Sequence, residues 1–420
     1  MREGLTRIGP PGTGPSGTAR LGPRPLPLHL AMQLWTGLLS FASWPLLKNV
    51  SLAWNPRVAP TAEALCDDLA GISTEAFAAA VDQESRHRVH QYLTGLNRYR
   101  HHPYRRLLHD PPAVWAEGTT RLLEYPASPD GVPLLVVPSL INRAYILDFN
   151  ENRSFMRTMS AWGFRPFLVD WGAPGVVERG FDLTDYIAGR LERVLDQILT
   201  WCGRPPAVVG YCMGGLLALA LAARRRVDVA ALVLLATPWD FQAGLSVRSQ
   251  QTMMFRSFIE NAIAGTGELP VDVLQTLFFS LDPTMGERKF RGFAGLDPAS
   301  PPALDFVATE DWANDGVALA GPVARECLFG WYGANTPVKG MWQIAGTPIR
   351  PESVTAPSLV VVPKRDRIVP PPSALVLADA IPGAYRLVVP AGHIGMMIGS
   401  AASSTLYGPL ARWLGQVMPG

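Results

Sequence analysis

Between Pro205 and Ala218 the chain runs from an apolar stretch, Ala207-Val208-Val209-Gly210, through Tyr211 and Cys212, into Met213-Gly214-Gly215 and an alanine- and leucine-rich segment. The order is a strand, a sharp turn and a helix, with cysteine where a G-x-S-x-G nucleophile elbow carries serine. Glycines on both sides of Cys212 fit a turn in which side chains would collide with neighbouring backbone. Such a turn pushes the Cys212 side chain out of the sheet and aims the Met213 N–H at a forming oxyanion. The pentapeptide alone is equally consistent with a buried thiol in an ordinary strand–helix junction. The rest of the chain has to decide.

The flanking pattern supplies the sheet. Continuous apolar runs at Pro133-Leu134-Leu135-Val136-Val137, Arg165–Asp170, Ala230–Leu235, Ser358–Pro363 and Tyr385–Val389 read as strands buried on both faces. Helical segments at Ser154–Trp162 and Leu183–Trp201 separate the early ones, which implies repeated βα units and a mostly parallel sheet. From Asp240 to about Thr355 the rhythm breaks into helical stretches, Met253–Ala264 and Val271–Leu281, with Phe255, Phe258, Phe278 and Phe279. This is expected to be an inserted cap over the site. Trp312, Trp331, Tyr332 and Trp342 are expected to fill its core.

Two further residues fall where an open α/β sheet places catalytic groups, just past the C-terminal ends of strands. Asp366 follows Ser358–Pro363, and His393 follows Tyr385–Val389 between Gly392 and Gly395. The order Cys212, Asp366, His393 is nucleophile, acid, base, as in the α/β-hydrolase architecture. The expected division is a disordered tail at 1–27, an N-terminal helical region at 28–104, a core formed by 105–239 and 356–420, and the cap at 240–355.

With 37 Lys and Arg against 35 Asp and Glu, the near-neutral charge gives no reason to expect nucleic acid. Cys66, Cys202, Cys212 and Cys327 lack metal or redox spacing and read as reduced thiols of a cytoplasmic protein, with no metal site. The run at 28–47 is long and nearly uncharged, but His29, Gln33, Thr36, Ser40 and Ser43 share one helical stripe, opposite Leu30, Met32, Trp35, Leu38, Leu39 and Phe41. An amphipathic helix on an apolar surface, or docked on the body, is expected rather than a span, and no secretory signal. Ser73-Thr74 opens another helix. The basic cluster of Arg98, Arg100, His101, His102, Arg105 and Arg106 reads as a solvated turn more readily than as an anion site.

Three segments resemble poly(3-hydroxyalkanoate) synthases: Val137-Pro138-Ser139-Leu140-Ile141-Asn142-Arg143-Ala144-Tyr145-Ile146-Leu147-Asp148, the Gly210–Gly215 box and Ala391-Gly392-His393-Ile394-Gly395. Asp311-Trp312-Ala313-Asn314-Asp315, Asn335 and Asp366-Arg367-Ile368-Val369-Pro370 are similar to that family too. The region before residue 95 is shorter than the N-terminal domain of the larger synthases. The resemblance implies a mobile cap, a Cys-His-Asp triad and acyl transfer from 3-hydroxyacyl-coenzyme A to a growing polyester. The oxyanion would be held by the N–H of Met213 and of Leu140 or Ile141. Asn142, Trp312, Asn314, Asp315 and Asn335 become candidate substrate-binding residues. Coenzyme A enters as substrate, with no resident cofactor. A homodimer and a granule or membrane surface contacted through 28–47 are the further partners expected, which places the protein in the cytoplasm at polyester granules. A Cys-dependent esterase, thioesterase or intracellular depolymerase on the same scaffold is the alternative, and a catalytically silent granule protein a third reading.

Overall fold

The structure, a computed structural model, describes residues 20–48, 54–56, 58–244 and 253–418; the expected tail at 1–19 lies outside them. It divides into two compact units, one of residues up to Tyr104 with Pro283–Asn314, the other of Arg105–Asp282 with Asp315–Gly420.

The second unit is built on an eight-stranded sheet. Its strands are β1 (Ala113–Glu117), β2 (Thr120–Glu124), β3 (Val132–Val137), β4 (Phe164–Asp170), β5 (Ala207–Tyr211), β6 (Ala231–Leu235), β7 (Ser358–Pro363) and β8 (Tyr385–Val389). They lie in the order β1-β2-β4-β3-β5-β6-β7-β8, antiparallel across β1, β2 and β4 and parallel from β4 onward. The strand before the elbow is therefore central, and both β7 and β8 end on the same edge as β5. Every residue of β5, β6 and β7 is buried, which is why these strands read as unbroken apolar runs. Helices pack around the sheet, as expected of an α/β-hydrolase core. The β1–β2 hairpin was not among the strands anticipated, because an edge strand carrying Glu117 and a neighbour carrying Arg121 and Glu124 give no apolar run.

Within the insertion, helices Arg256–Thr266 and Val271–Phe279 form near the expected positions. Trp331 and Trp342 are buried against each other with ring centroids 5.4 Å apart, and Phe241 stacks on Trp331 at 5.7 Å. Residues 283–314 belong instead with the N-terminal helices.

That first unit has its own core. Tyr92, Leu96 and Tyr99 of the helix Thr74–Arg100 meet Phe290 and Phe293 of Met285–Ala294 and Ala303 and Val307 of Pro301–Asn314. Ser73 caps the first helix as anticipated, its hydroxyl accepting from the Ala76 N–H at 3.1 Å. Gly95 is there because a Cβ would overlap the Phe290 carbonyl. Two expectations need correction here. Residues 20–27, placed in the disordered tail, are held: the Arg20 guanidinium donates to Asp311 Oδ1 at 2.6 Å and to the carbonyls of Tyr99, His102 and Tyr104. The basic cluster is a solvated turn only in part: Arg98, His101 and Arg105 are exposed as anticipated, while His102 is buried. Arg98 donates to the Ala294 and Leu296 carbonyls, Arg100 to Leu21 and Gly22, and His102 contacts the Pro298 carbonyl. In the second unit Arg106 does the same for Asp148 and Phe149. These side chains bond backbone oxygens of neighbouring segments.

The helix Leu26–Ala42 is amphipathic, with an orientation its stripe did not disclose. His29 and Gln33 are buried, while Leu34, Trp35, Leu38, Leu39 and Phe41 face outward, Leu34 and Leu38 at 65% and 63% exposure. The polar side is the one that docks. Gly286 leaves room for the His29 ring, and Gly37 for the Ser85 hydroxyl. Burial first, then the Lys289 charge, holds the His29 imidazole down at about 4. Thr36, part-buried on the docking side, and Ser40, which is exposed, donate to the carbonyls one turn back at 2.8 Å each. No helix among the described residues is long and apolar enough to cross a membrane.

Candidate active site

Cys212 sits between β5 and the helix Met213–Arg224 with φ 57° and ψ −125°, a region that side chains other than glycine rarely occupy. Strain of this kind costs on the order of 1–3 kcal/mol and has to be held by the surroundings. The Cys212 N–H donates to the Leu235 carbonyl at 2.8 Å, and its own carbonyl accepts from Gly215 at 2.9 Å. Packing completes the hold. A Cβ on Gly214 would overlap the Val137 carbonyl, and one on Gly215 would overlap the Thr237 hydroxyl. The first turn of the helix thus lies flat on the ends of β3 and β6, and the thiol is left half-buried.

The two other candidate residues arrive from neighbouring strands. Asp366 lies in the turn after β7, with Oδ1 accepting from the Ile368 and Val369 N–H groups at 2.8 and 2.9 Å. Its Oδ2 meets His393 Nδ1 at 2.7 Å. Both are buried. With Nδ1 occupied by Asp366, the other ring nitrogen is the one left to serve Cys212, whose sulfur acts electrostatically on the imidazole. Burial lowers the affinity of His393 for its second proton. The Cys212 sulfur and then Asp366 outweigh burial, and the imidazole is raised to about 10. The group is thus built to carry positive charge between two acidic partners.

The loop after β3 lies beside the elbow, as the Gly214 contact with Val137 and Pro138 requires. Met213 opens its helix, so its N–H is among those a helix cannot satisfy internally. The Ile141 N–H, in contrast, donates to Ser139 Oγ at 3.2 Å. The Ile141 carbonyl accepts from Val317 at 2.8 Å, Asn142 bridges to Gly316, and Arg143 pairs with Asp315 at 3.6 Å. Residues 315–317 therefore brace the loop.

The candidate substrate-binding residues are distributed over both units. Asn142 and Asp315 belong to that brace. Asn335 is buried and committed: its Oδ1 accepts from Phe241 N–H at 3.0 Å and its Nδ2 donates to Asp240 Oδ1 at 2.9 Å. Its side chain clasps the start of the insertion. Trp312 and Asn314 lie in the first unit, where Asn314 accepts from the Arg24 N–H at 2.9 Å and donates to the Glu310 carbonyl. Sequence reasoning passed over Ser139 and Tyr211, each inside a motif it had quoted. Among the described residues no cluster of three or more His, Cys, Asp or Glu is arranged to hold a metal.

Comparison with known proteins matches residues 132–400 to the family described as the alpha/beta hydrolase fold. The chain is 29% identical over 314 residues to the "Poly(3-hydroxyalkanoate) polymerase subunit PhaC" of Allochromatium vinosum, covering 72% of this chain and 88% of that one. It is 30% identical over 301 residues to the protein of the same name from Synechocystis sp., covering 69% and 79%. A thermophilic esterase from Thermogutta terrifontis aligns in structure with a TM-score of 0.46 at 18% identity, covering 74% of this chain and 98% of that one. By its match across the sheet and elbow and by its likeness to these polymerases, the chain belongs to the poly(3-hydroxyalkanoate) polymerase family within the α/β-hydrolase fold.

Proposed function

We propose that this protein transfers 3-hydroxyacyl groups from coenzyme A thioesters to a growing polyester, through an acyl-cysteine at Cys212 with His393 as base and Asp366 as its orienting acid. The observation that carries the reading is the 2.7 Å contact between His393 Nδ1 and Asp366 Oδ2, both in turns at the strand edge where the strained elbow presents Cys212. His393 takes the thiol proton, and the thiolate attacks the thioester carbon. The oxyanion finds the Met213 N–H; since Ser139 occupies the Ile141 N–H, the second donor is assigned to Leu140. As the intermediate collapses, the coenzyme A thiolate leaves and takes the proton from the imidazolium. A 3-hydroxyl from another unit then gives its proton to His393 and attacks the acyl-cysteine, lengthening the chain by one ester and freeing the sulfur.

The outward face of Leu26–Ala42 supports a place at a polyester surface. It carries no charge, and the exposed Ser40 hydroxyl beside it is already satisfied by the helix backbone, so withdrawing it from water leaves no donor unpaired. Incubation with 3-hydroxybutyryl-coenzyme A tests the whole. Insoluble polymer with release of coenzyme A is expected. Free hydroxy acid alone would assign the protein to Cys-dependent hydrolysis, the second reading that the fold allows. An acyl adduct on Cys212 that is absent in Cys212→Ala excludes a silent scaffold.

A further inference from the structure

The residue just before the nucleophile makes two contacts with the histidine loop. Tyr211 ends β5, and its side chain is buried. Its ring lies face to face with the His393 imidazole, centroids 5.2 Å apart and planes 29° from parallel. Its hydroxyl donates to the His393 carbonyl at 3.1 Å. A phenylalanine would fill the same volume without that bond. Burial above all, then the negative charge at Cys212 and Asp366, keeps the phenol protonated far beyond its ordinary range, so the hydroxyl is a permanent donor.

We infer that Tyr211 is a positioning residue for His393, its hydroxyl fixing the backbone of the histidine loop and its ring face supporting the imidazolium formed when Cys212 loses its proton. This rests on the triad reading given above. The geometry explains how the two reacting side chains keep register although they are far apart in sequence. Tyr211 is bonded to Cys212, and its backbone is paired with Leu235 in the sheet. The sulfur and the imidazole are therefore both referenced to the last residue of one central strand. His393 itself sits in an irregular loop, tied back through the Ala391 carbonyl, which accepts from Arg365 at 2.9 Å. An aromatic face within about 6 Å of a cation attracts it, more strongly where water is excluded. Tyr211 is so placed.

The test separates ring from hydroxyl in the full-length protein. Iodoacetamide alkylation of Cys212 is followed against pH, with peptide mapping to assign the site, beside kcat and KM for 3-hydroxybutyryl-coenzyme A. In Tyr211→Phe the ring stays, so the pH midpoint of alkylation is expected to hold while kcat falls about tenfold with KM little changed. In Tyr211→Leu the ring goes too, and the midpoint moves upward by about half a pH unit or more. A merely structural tyrosine moves neither the midpoint nor kcat independently of KM. The assignment is overturned if Phe retains wild-type kcat, or if Leu retains the wild-type midpoint. Should the leucine variant fail to fold, Tyr211→Met takes its place under the same criterion. A wild-type protein whose Cys212 does not react at any pH overturns the triad itself, and this assignment with it.

Discussion

Replacing Asp366 by asparagine offers the sharpest test of the proposed triad, because the surrounding backbone dictates how the new amide must sit. Oδ1 of Asp366 accepts two N–H groups, from Ile368 and Val369. An asparagine that turned its NH2 toward them would set donors against a donor in a buried turn, costing about 1–3 kcal/mol for each bond lost. The amide oxygen therefore stays on the backbone and the NH2 faces His393 Nδ1. That nitrogen must then accept, which moves the ring proton to Nε2, the atom that has to take the thiol proton from Cys212. Trapping the wrong tautomer in a serine protease triad costs about 10⁴ in rate. A thioester needs less assistance in departure, so a loss of about 10³ in kcat is expected here, equivalent to about 4 kcal/mol. The turn keeps both its backbone bonds, so the thermal midpoint should fall by no more than a few degrees. Coenzyme A release and calorimetry on the same preparation measure both. A variant that keeps more than a tenth of wild-type kcat while folded would refute the assignment of Asp366 as the group that orients the base.

Gly215→Ala is expected to abolish activity and lower stability by several kcal/mol, since its Cβ enters the Thr237 hydroxyl; Gly215→Ala with Thr237→Ala, which removes that hydroxyl, should lose less, and equal urea midpoints for the two would contradict the packing argument. His29 is neutral in the folded first unit, its imidazole held at about 4 against 6.5 in the unfolded chain. The unfolded state therefore binds the proton first on acidification. Stability should fall as pH drops from about 6.5 toward 4, by at most about 3 kcal/mol, and His29→Asn should flatten that limb in pH-dependent urea denaturation. Replacing Leu34 and Leu38 together by lysine should release the protein from polyester particles in a sedimentation assay while leaving Cys212 alkylation as it was; unchanged sedimentation would dissociate this helix from surface binding.

How far the sequence could be read follows from what each kind of pattern encodes. Strands such as Ser358–Pro363 were legible to the residue, because a strand covered on both faces must be apolar throughout. The hairpin β1–β2 at the edge has no such requirement and left no run to find. The amphipathic segment starting at Leu183 contains a π-helical stretch, Asp185–Leu191, before the α-helix Glu192–Cys202, a change of period that a hydrophobic stripe does not register. For Leu26–Ala42 the stripe was real, yet periodicity states only that two sides differ. Which side turns inward depended on Gly286 and Gly37, distant or small features with no hydrophobic signature. The candidate site divides the same way. Cys212, Asp366 and His393 lie at strand ends in a diagnostic order, so topology alone brings them to one edge. Asn335 and Asn314 were picked by resemblance, and only coordinates show their amides spent on neighbouring backbone and side chains.

The inward-facing His29 and Gln33 also bear on how this protein could be trimmed. Past its first turn, where Leu26 and Leu30 touch the aromatic core, the seam beneath this helix is hydrophilic. Cutting the chain back to Ser43, so that Trp44 stays stacked on Phe77, would strip away the oily outer flank and bare a wettable floor. Removing a helix ordinarily makes a protein stickier; here the shortened molecule should be the better behaved of the two in dilute buffer, at the expense of whatever that flank holds on to.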